Sequence, residues 1–367
     1  MRQRPPKDGR THRVLVINPG STSTKVALYR GTRCAAQETT RHSAKTLRSF
    51  HTLIDQVPMR QAAVLRTLRR DRIDPAQLDA LAARGGLLAP CPAGTYRVGP
   101  AMLAELEHAS HGAHASNLGA IIAARIADAA HAPAYIVDPV VVDELCPAAR
   151  FSGIPEISRR SVWHALNQRA AARRVAKTLG RRYQDLNLVV AHLGGGTSVA
   201  AHRRGKAIDV NNALDGDGPF AVERSGGLPA GDLVRLAHNT PLPDMLRTIT
   251  GRGGAVAYLG TNDMLKVERA ARAGDARAAG VLAAMAYQIA KEIGSCAAAL
   301  AGRVDAVVLT GALARCGPLV RRVRHHVAFI APVRIVPGEM EMQALALGAL
   351  RVLRGEERAR RYKGITT

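Results

Sequence analysis

The stretch VLVINPGSTSTKVALYR, from Val14 to Arg30, decides the fold. Val14 to Ile17 is a short β-branched run, Lys25 to Tyr29 is a second one, and everything between them is a turn former. This predicts a β-hairpin with a small polar loop. The same unit returns as LVVAHLGGGTSVAAHR, from Leu188 to Arg203, where a buried strand runs into His192, Leu193 and three glycines and leaves through a second strand. A strand, Gly/Ser/Thr loop and strand occurring twice, with no shorter repeat period, predicts two similar halves rather than a solenoid. Each half begins with a hairpin whose tip can approach an anion.

The first loop carries Ser21, Ser23 and Lys25 on a Gly-containing turn. Backbone amides, hydroxyls and one ammonium together make a phosphate cradle. No G-x-x-x-x-G-K-[ST] run occurs in the chain, so it is not a Walker loop. In the second loop, Gly194, Gly195 and Gly196 leave room for a ligand to approach the backbone. Each loop alone also reads as a solvated turn, and the pair makes the nucleotide reading. Leu309-Thr310-Gly311 supplies a third strand-end loop, of the kind adenosine packs against in α/β sites.

Between the two halves, helical periodicity is expected over about 60–83, 116–131 and 161–180, and further on over about 263–301 and 340–354. Strands are expected at 135–137 and 305–309. Arg224 beside two glycines, and Arg84 in a similar Arg-Gly-Gly turn, are guanidiniums that can clamp a phosphoryl group or a carboxylate. Gly216-x-Gly218-x-x-Ala221 mimics a dinucleotide fingerprint, but no strand precedes it. The DGDG run lacks the ligand spacing of a Ca²⁺ loop. His108, His111 and His114, spaced by three, read mainly as solvated side chains and not as a metal site.

The whole chain has 367 residues, a formal charge of +23 and 47% hydrophobic residues. That composition buries a large core and excludes a basic disordered arm. Only eight of the 52 basic residues are Lys, and aromatics are 3%, which leaves few rings for base stacking. A non-enzymatic nucleic-acid-binding protein is therefore the weaker alternative. Five scattered cysteines without a CxxC pair imply a reduced, intracellular chain. The apolar run after the basic start is too short for a signal peptide, and charges interrupt the other apolar stretches. A soluble, cytoplasmic protein with a frayed basic tail over 1–12 is expected.

VINPGSTSTK (16–25), HASNLG (114–119), VDPVVVDEL (137–145), SVWHALNQ (161–168), VAHLGGGTSV (190–199), VNNALDGDGPFAVERSGGLP (210–229), AYLGTND (257–263) and PGEMEMQALALGAL (337–350) occur in this order. Taken together they resemble the butyrate kinase branch of the acetate kinase family. The resemblance implies the α/β fold shared with sugar kinases, Hsp70 and actin: two duplicated actin-like (RNase H-like) domains with a nucleotide cleft between them. It implies an N-terminal domain over 13–150 completed by a C-terminal helix over 341–357, and a nucleotide-binding domain over 151–340.

The implied activity is reversible, in-line phosphoryl transfer from ATP to butanoate. Acetate, propanoate or a branched acid is the nearer alternative. By the same resemblance, Asp138, His164 and Arg224 are catalytic, although the residue pattern alone does not single out His164. Arg84 and His114 bind the acid. Asn18, Ser21, Ser23, Lys25, His192, Gly194, Gly195, Gly196, Thr310, Gly311 and Ala312 meet the nucleotide, with Ala312 standing where the family usually has a second glycine. Asn18 and Glu341 serve Mg²⁺, Glu341 being preferred to Glu339 by the register of the following helix. ATP or ADP and Mg²⁺ are thus the implied cofactors, a carboxylate and a nucleotide the partners, and a homodimer the assembly, with no nucleic acid or membrane.

Overall fold

The computed structural model describes residues 11–364, so all but the last two residues of the expected basic tail lie outside the described residues. The chain divides into two compact units. One combines the described chain up to Val142 with the segment from Met340 onward, and the other is Asp143–Glu339.

In the first unit, β1 (Arg13–Pro19), β2 (Ser23–Arg30) and β3 (Arg33–Arg41) form an antiparallel meander. β4 (Ala80–Ala83) pairs parallel with β1, and β6 (Ala134–Val137) pairs parallel with β4. β5 (Thr95–Arg97) and a two-residue β12 (Arg360–Arg361) extend that edge, giving the order β12-β5-β6-β4-β1-β2-β3. Val14 to Ile17 and Ala80 to Ala83 are buried on both faces, as central strands covered by helices on either side must be. Leu15, Ile17, Leu81, Ala83 and Ile136 share one apolar cluster with Leu118, Ile121, Ile122 and Ile126 of the helix Asn117–Ala130. The helix Glu341–Leu353 packs on β1, β4 and β6, where its Gly348 abuts the Val137 side chain. Val137 and Ile136 alternate along β6, so the two helices cover opposite faces.

The second unit repeats this plan. β7 (Asn187–Leu193), β8 (Thr197–Arg203) and β9 (Lys206–Val210) form the meander. β10 (Ala306–Gly311) and β11 (Val333–Pro337) add in parallel to β7, in the order β11-β10-β7-β8-β9. Val189, Ala191, Leu193, Val199 and Ala201 pack on Ile289 and Ile293 of the long helix Ala276–Ala299. The other face of β7 and β10 meets the helix Ala165–Thr178. Each unit therefore has three antiparallel strands followed by parallel strands added beside the first. This shared order is the duplication that the two hairpins announce.

Two sequence expectations are corrected. The helix expected over 60–83 is Val57–Arg70 only, and its last expected residues, Ala80–Ala83, form a central strand. Pro75, following Asp74, starts a new short turn that separates them. The helix expected over 263–301 is two, Met264–Arg272 and Ala276–Ala299, broken at Gly274 with Asp275 capping the second.

Candidate functional site

In parallel sheets, ligands gather at the carboxyl ends of the strands. In the first unit these ends carry Asn18 (β1), Arg84 (just after β4) and Asp138 (just after β6). Asn18 pairs in register with Lys25 across the hairpin. The Asn18 Nδ2 donates to Glu341 Oε2 at 2.8 Å, and Arg84 Nη1 donates to the same oxygen at 3.1 Å. Glu341 opens the helix Glu341–Leu353, where the unsatisfied amides favour a carboxylate. It is buried, whereas Glu339 is exposed. Asn18 Oδ1 is buried and accepts no hydrogen bond. A carboxylate and an amide oxygen, carried on two side chains that are hydrogen-bonded to each other, are donor types that suit a hard cation keeping part of its water shell.

Asp138 is 1% exposed and sits at φ +40°. Its Oδ1 accepts from Gly94 N at 2.9 Å, and its own N donates to Gly94 O at 3.0 Å. A non-glycine residue in the left-handed region carries strain of about 1 to 3 kcal/mol, so this backbone is held by its surroundings. His114 is half-buried before the helix Asn117–Ala130, with Nδ1 2.7 Å from Ser116 Oγ. Its two companions do not join it. His108 Nδ1 is bonded to Ala104 O, and His111 lies against Glu105. Among the described residues, no three His, Cys, Asp or Glu side chains converge as a metal site.

Arg60 is a residue beside the first loop of the candidate site that sequence reasoning missed. It is fully buried on the inner face of the helix Val57–Arg70 and grips the hairpin turn. Nη1 donates to Gly20 O at 3.0 Å, Ser23 O at 2.8 Å and Thr24 Oγ1 at 3.2 Å, and Nη2 donates to Ser21 O at 3.1 Å. Gln56 Oε1 takes the remaining donors at 3.1 and 2.9 Å. The clue was present: Val57, Arg60, Ala63, Val64, Thr67 and Leu68 form one helical stripe, apolar at most positions and interrupted by a cation. Ser21 is exposed at the tip, while Ser23 and Lys25 are half-buried.

In the second unit the parallel strands end at His192 and Leu193, at Thr310 and Gly311, and at Pro337. His164 precedes the helix Ala165–Thr178, which places Asn167 and Gln168 one turn later on the same side. The His164 and His192 rings stack with centroids 3.8 Å apart and planes 4° from parallel. His164 Nδ1 is 2.9 Å from Ser198 Oγ. Asn167 Nδ2 is 2.8 Å from His192 Nδ1 and 3.2 Å from Thr310 Oγ1. The turn Gly194–Gly196 joins β7 to β8. A Cβ on Gly196 would collide with the Arg224 guanidinium, which donates to Ala213 O. Gly311 has φ +90°, and a Cβ there would strike the Leu193 backbone, so only glycine fits. Ala312, itself exposed, follows it and opens a short turn whose next two residues, Leu313 and Ala314, are buried.

The residues expected to act thus fall on the strand-end edges of two like-built sheets. One set is Asn18, Lys25, Arg84, Asp138 and Glu341, and the other is His164, His192, Gly194 to Gly196, Arg224, Thr310 and Gly311. These edges belong to a duplicated actin-like α/β fold. The profile of the acetokinase family matches residues 156–331.

The chain is 52% identical over 353 residues to butyrate kinase 2 of Clostridium acetobutylicum, covering 96% of this chain and 99% of that one. It is 49% identical over 354 residues to butyrate kinase 1 of the same organism, covering 96% and 100%. The acetate kinase of Porphyromonas gingivalis superposes with a TM-score of 0.74 at 21% identity, over 93% of this chain and all of that one, and so shares the fold. The chain belongs to the acetokinase family. Among the described residues, no helix is long and apolar enough to cross a membrane.

Proposed function

We propose that the chain is a carboxylate kinase that transfers the γ-phosphoryl group of ATP to butanoate, reversibly, giving butanoyl phosphate and ADP. The observation that carries this reading is the 52% identity with a butyrate kinase across 96% of the chain. The strand-end positions of the polar residues support it.

A carboxylic acid with a pKa of about 4 to 5 is already ionised at pH 7, so its oxygen needs no strong base. The physical obstacle is bringing one anion up to another. Arg84 would hold the acid's carboxylate, beside His114. Lys25 and the Gly194–Gly196 turn would meet the nucleotide phosphates, with His192 behind that turn. Ser21, Ser23, Thr310, Gly311 and Ala312 complete the nucleotide contacts. Arg224 and His164 would donate to the equatorial oxygens as charge builds on them, each contributing about 2 to 4 kcal/mol.

Mg²⁺ fits the pair of oxygen donors at Asn18 Oδ1 and the Glu341 carboxylate. When bound, it supplies charge neutralisation at the nucleotide phosphates. Asp138, held on Gly94, is suited to order the waters of that ion and not to take a proton. A homodimer belongs to the same reading, and sedimentation of the full chain tests it.

Chain-length choice is a matter of pocket volume, worth about 1 to 3 kcal/mol per methylene. A hydroxamate assay with ATP, Mg²⁺ and C2 to C6 acids tests the proposal. The highest kcat/KM is expected for the C4 acid. Preference for a C2, C3 or branched acid reassigns the substrate, and no product with any acid refutes the kinase.

A further inference from the structure

Behind His164 runs a buried chain of hydrogen bonds. Ser198 and His202 stand four residues apart on β8, so their side chains share the face turned to the helix Ala165–Thr178. Gln168 of that helix reaches both. Its Nε2 lies 2.9 Å from Ser198 O and 2.8 Å from Ser198 Oγ, and its Oε1 lies 3.0 Å from His202 Nε2. The Tyr183 hydroxyl is 2.6 Å from His202 Nδ1. Gln168, Ser198 and His202 are all fully buried, and Tyr183 is 4% exposed.

Counting donors fixes the direction of every bond. The Ser198 carbonyl can only accept, so the Gln168 end beside it is the NH₂ group. Both of its protons are spent, on Ser198 O and Ser198 Oγ. Gln168 Oε1 is then an acceptor, and His202 Nε2 is its donor. His202 is neutral, because burial first and the nearby Arg169 and Arg173 next push its pKa down to about 3. Its Nδ1 therefore accepts the Tyr183 proton. Ser198 Oγ accepts from Gln168 Nε2 and from the His164 main-chain N at 3.4 Å, so both of its lone pairs are taken and it gives its own proton to His164 Nδ1.

We infer that Tyr183, His202, Gln168 and Ser198 form a positioning relay that fixes His164 as the neutral tautomer protonated at Nε2. The stacked partner obeys the same rule. Asn167 Nδ2 donates to His192 Nδ1, which leaves the proton of His192 on Nε2 as well. Neither ring has a bare Nε2, and neither is a cation. This inference rests on the reading of His164 as the group that donates to the transferring phosphoryl, for which an Nε2–H is required and an Nε2 lone pair would repel. None of the relay residues touches the substrate in this scheme, and they act only through His164.

Long-range ¹H–¹⁵N correlation spectra of the full chain labelled with ¹⁵N-histidine, at neutral pH, read the tautomer directly, with His164→Ala assigning the signal. His164 is expected to be protonated at Nε2 and bare at Nδ1. Ser198→Ala, which introduces no buried charge, is expected to mix the two tautomers and lower kcat about tenfold, with KM for acid and nucleotide within twofold. Ser198→Thr, which keeps the hydroxyl, is expected to restore both. A wild-type His164 protonated at Nδ1, or at both nitrogens, overturns the relay without any variant needing to fold. So does a Ser198→Ala protein that keeps the single tautomer. Should His164→Ala retain full kcat while the tautomers behave as expected, the relay stands and the catalytic reading of His164 fails.

Discussion

Asn18 and Glu341 lie 323 positions apart in the chain, yet the side-chain amide of one donates to the carboxylate of the other at 2.8 Å. That single bond ties the end of β1 to the start of the helix Glu341–Leu353. The other atom of that amide, Asn18 Oδ1, is buried and accepts no hydrogen bond, and it is the oxygen proposed above for Mg²⁺. Glu341→Gln removes the charge and keeps the shape. It should raise the Mg²⁺ concentration for half-maximal rate at least about tenfold, and Asn18→Ala should act in the same direction. Rate titrations with Mg²⁺ at fixed ATP measure this, and an unshifted midpoint in both variants removes the pair from the metal site.

Arg224 lies against Gly196, in the turn that joins β7 to β8. Its truncation to Ala should lower kcat by about 10²- to 10³-fold while the KM for ATP changes little. Arg224→Lys should recover only part of the loss, because a point charge does not reproduce the planar fork. Steady-state kinetics decide between these outcomes, and an unchanged kcat takes Arg224 out of the mechanism.

The Arg60 guanidinium holds three main-chain carbonyls of one turn, those of Gly20, Ser21 and Ser23. Arg60→Met fills similar space but leaves those carbonyls without their donor. A loss of about 3 kcal/mol in urea unfolding is expected, together with a raised KM for ATP as the loop loosens. A variant as stable as the wild type, with the same KM, would falsify the bracing role.

Glu292, on the helix Ala276–Ala299, faces Asp217, Asp209 and Arg159. Burial first, and the Asp217 charge next, raise its pKa from the usual 4.5 to about 7. Between those two values the folded protein holds a proton that the unfolded chain has lost. Stability from this group is therefore present at low pH and declines as pH rises from 4.5 to 7. Glu292→Gln should abolish that decline, a difference of about 3 kcal/mol at pH 8. Unfolding curves from pH 4 to 8 check it, and parallel profiles for the two proteins count against the shift.

Both hairpins were legible because their loops are dense in Gly, Ser and Thr and their flanks are β-branched. Local chemistry fixes such units with little help from the rest of the chain. β4 was not legible. Its sequence, Ala-Leu-Ala-Ala, favours a helix, and only the slot between β1 and β6 makes it a strand. β3, at the sheet edge, is largely exposed and polar, so it lacks the apolar alternation that marks a strand. In the site, the glycine loops and the Arg-Gly-Gly turns could be read from residues alone. His164 could not, since its neighbours Ser198 and His192 come from β8 and β7, far from it in sequence. Arg60 lay in plain view, but a single cation in a helical stripe gives no hint of the carbonyls it will meet.

The helix Glu341–Leu353 follows the whole of the second unit in sequence but covers one face of the first unit's sheet. During synthesis, every strand of β7 to β11 has emerged before that helix exists. The unit begun first is therefore the last to be finished, and until Met340 and its successors arrive, the outer face of β1, β4 and β6 is bare apolar surface. Chain growth itself imposes an order here: the second unit can close on its own residues, whereas the first waits for the far end of the message to be read.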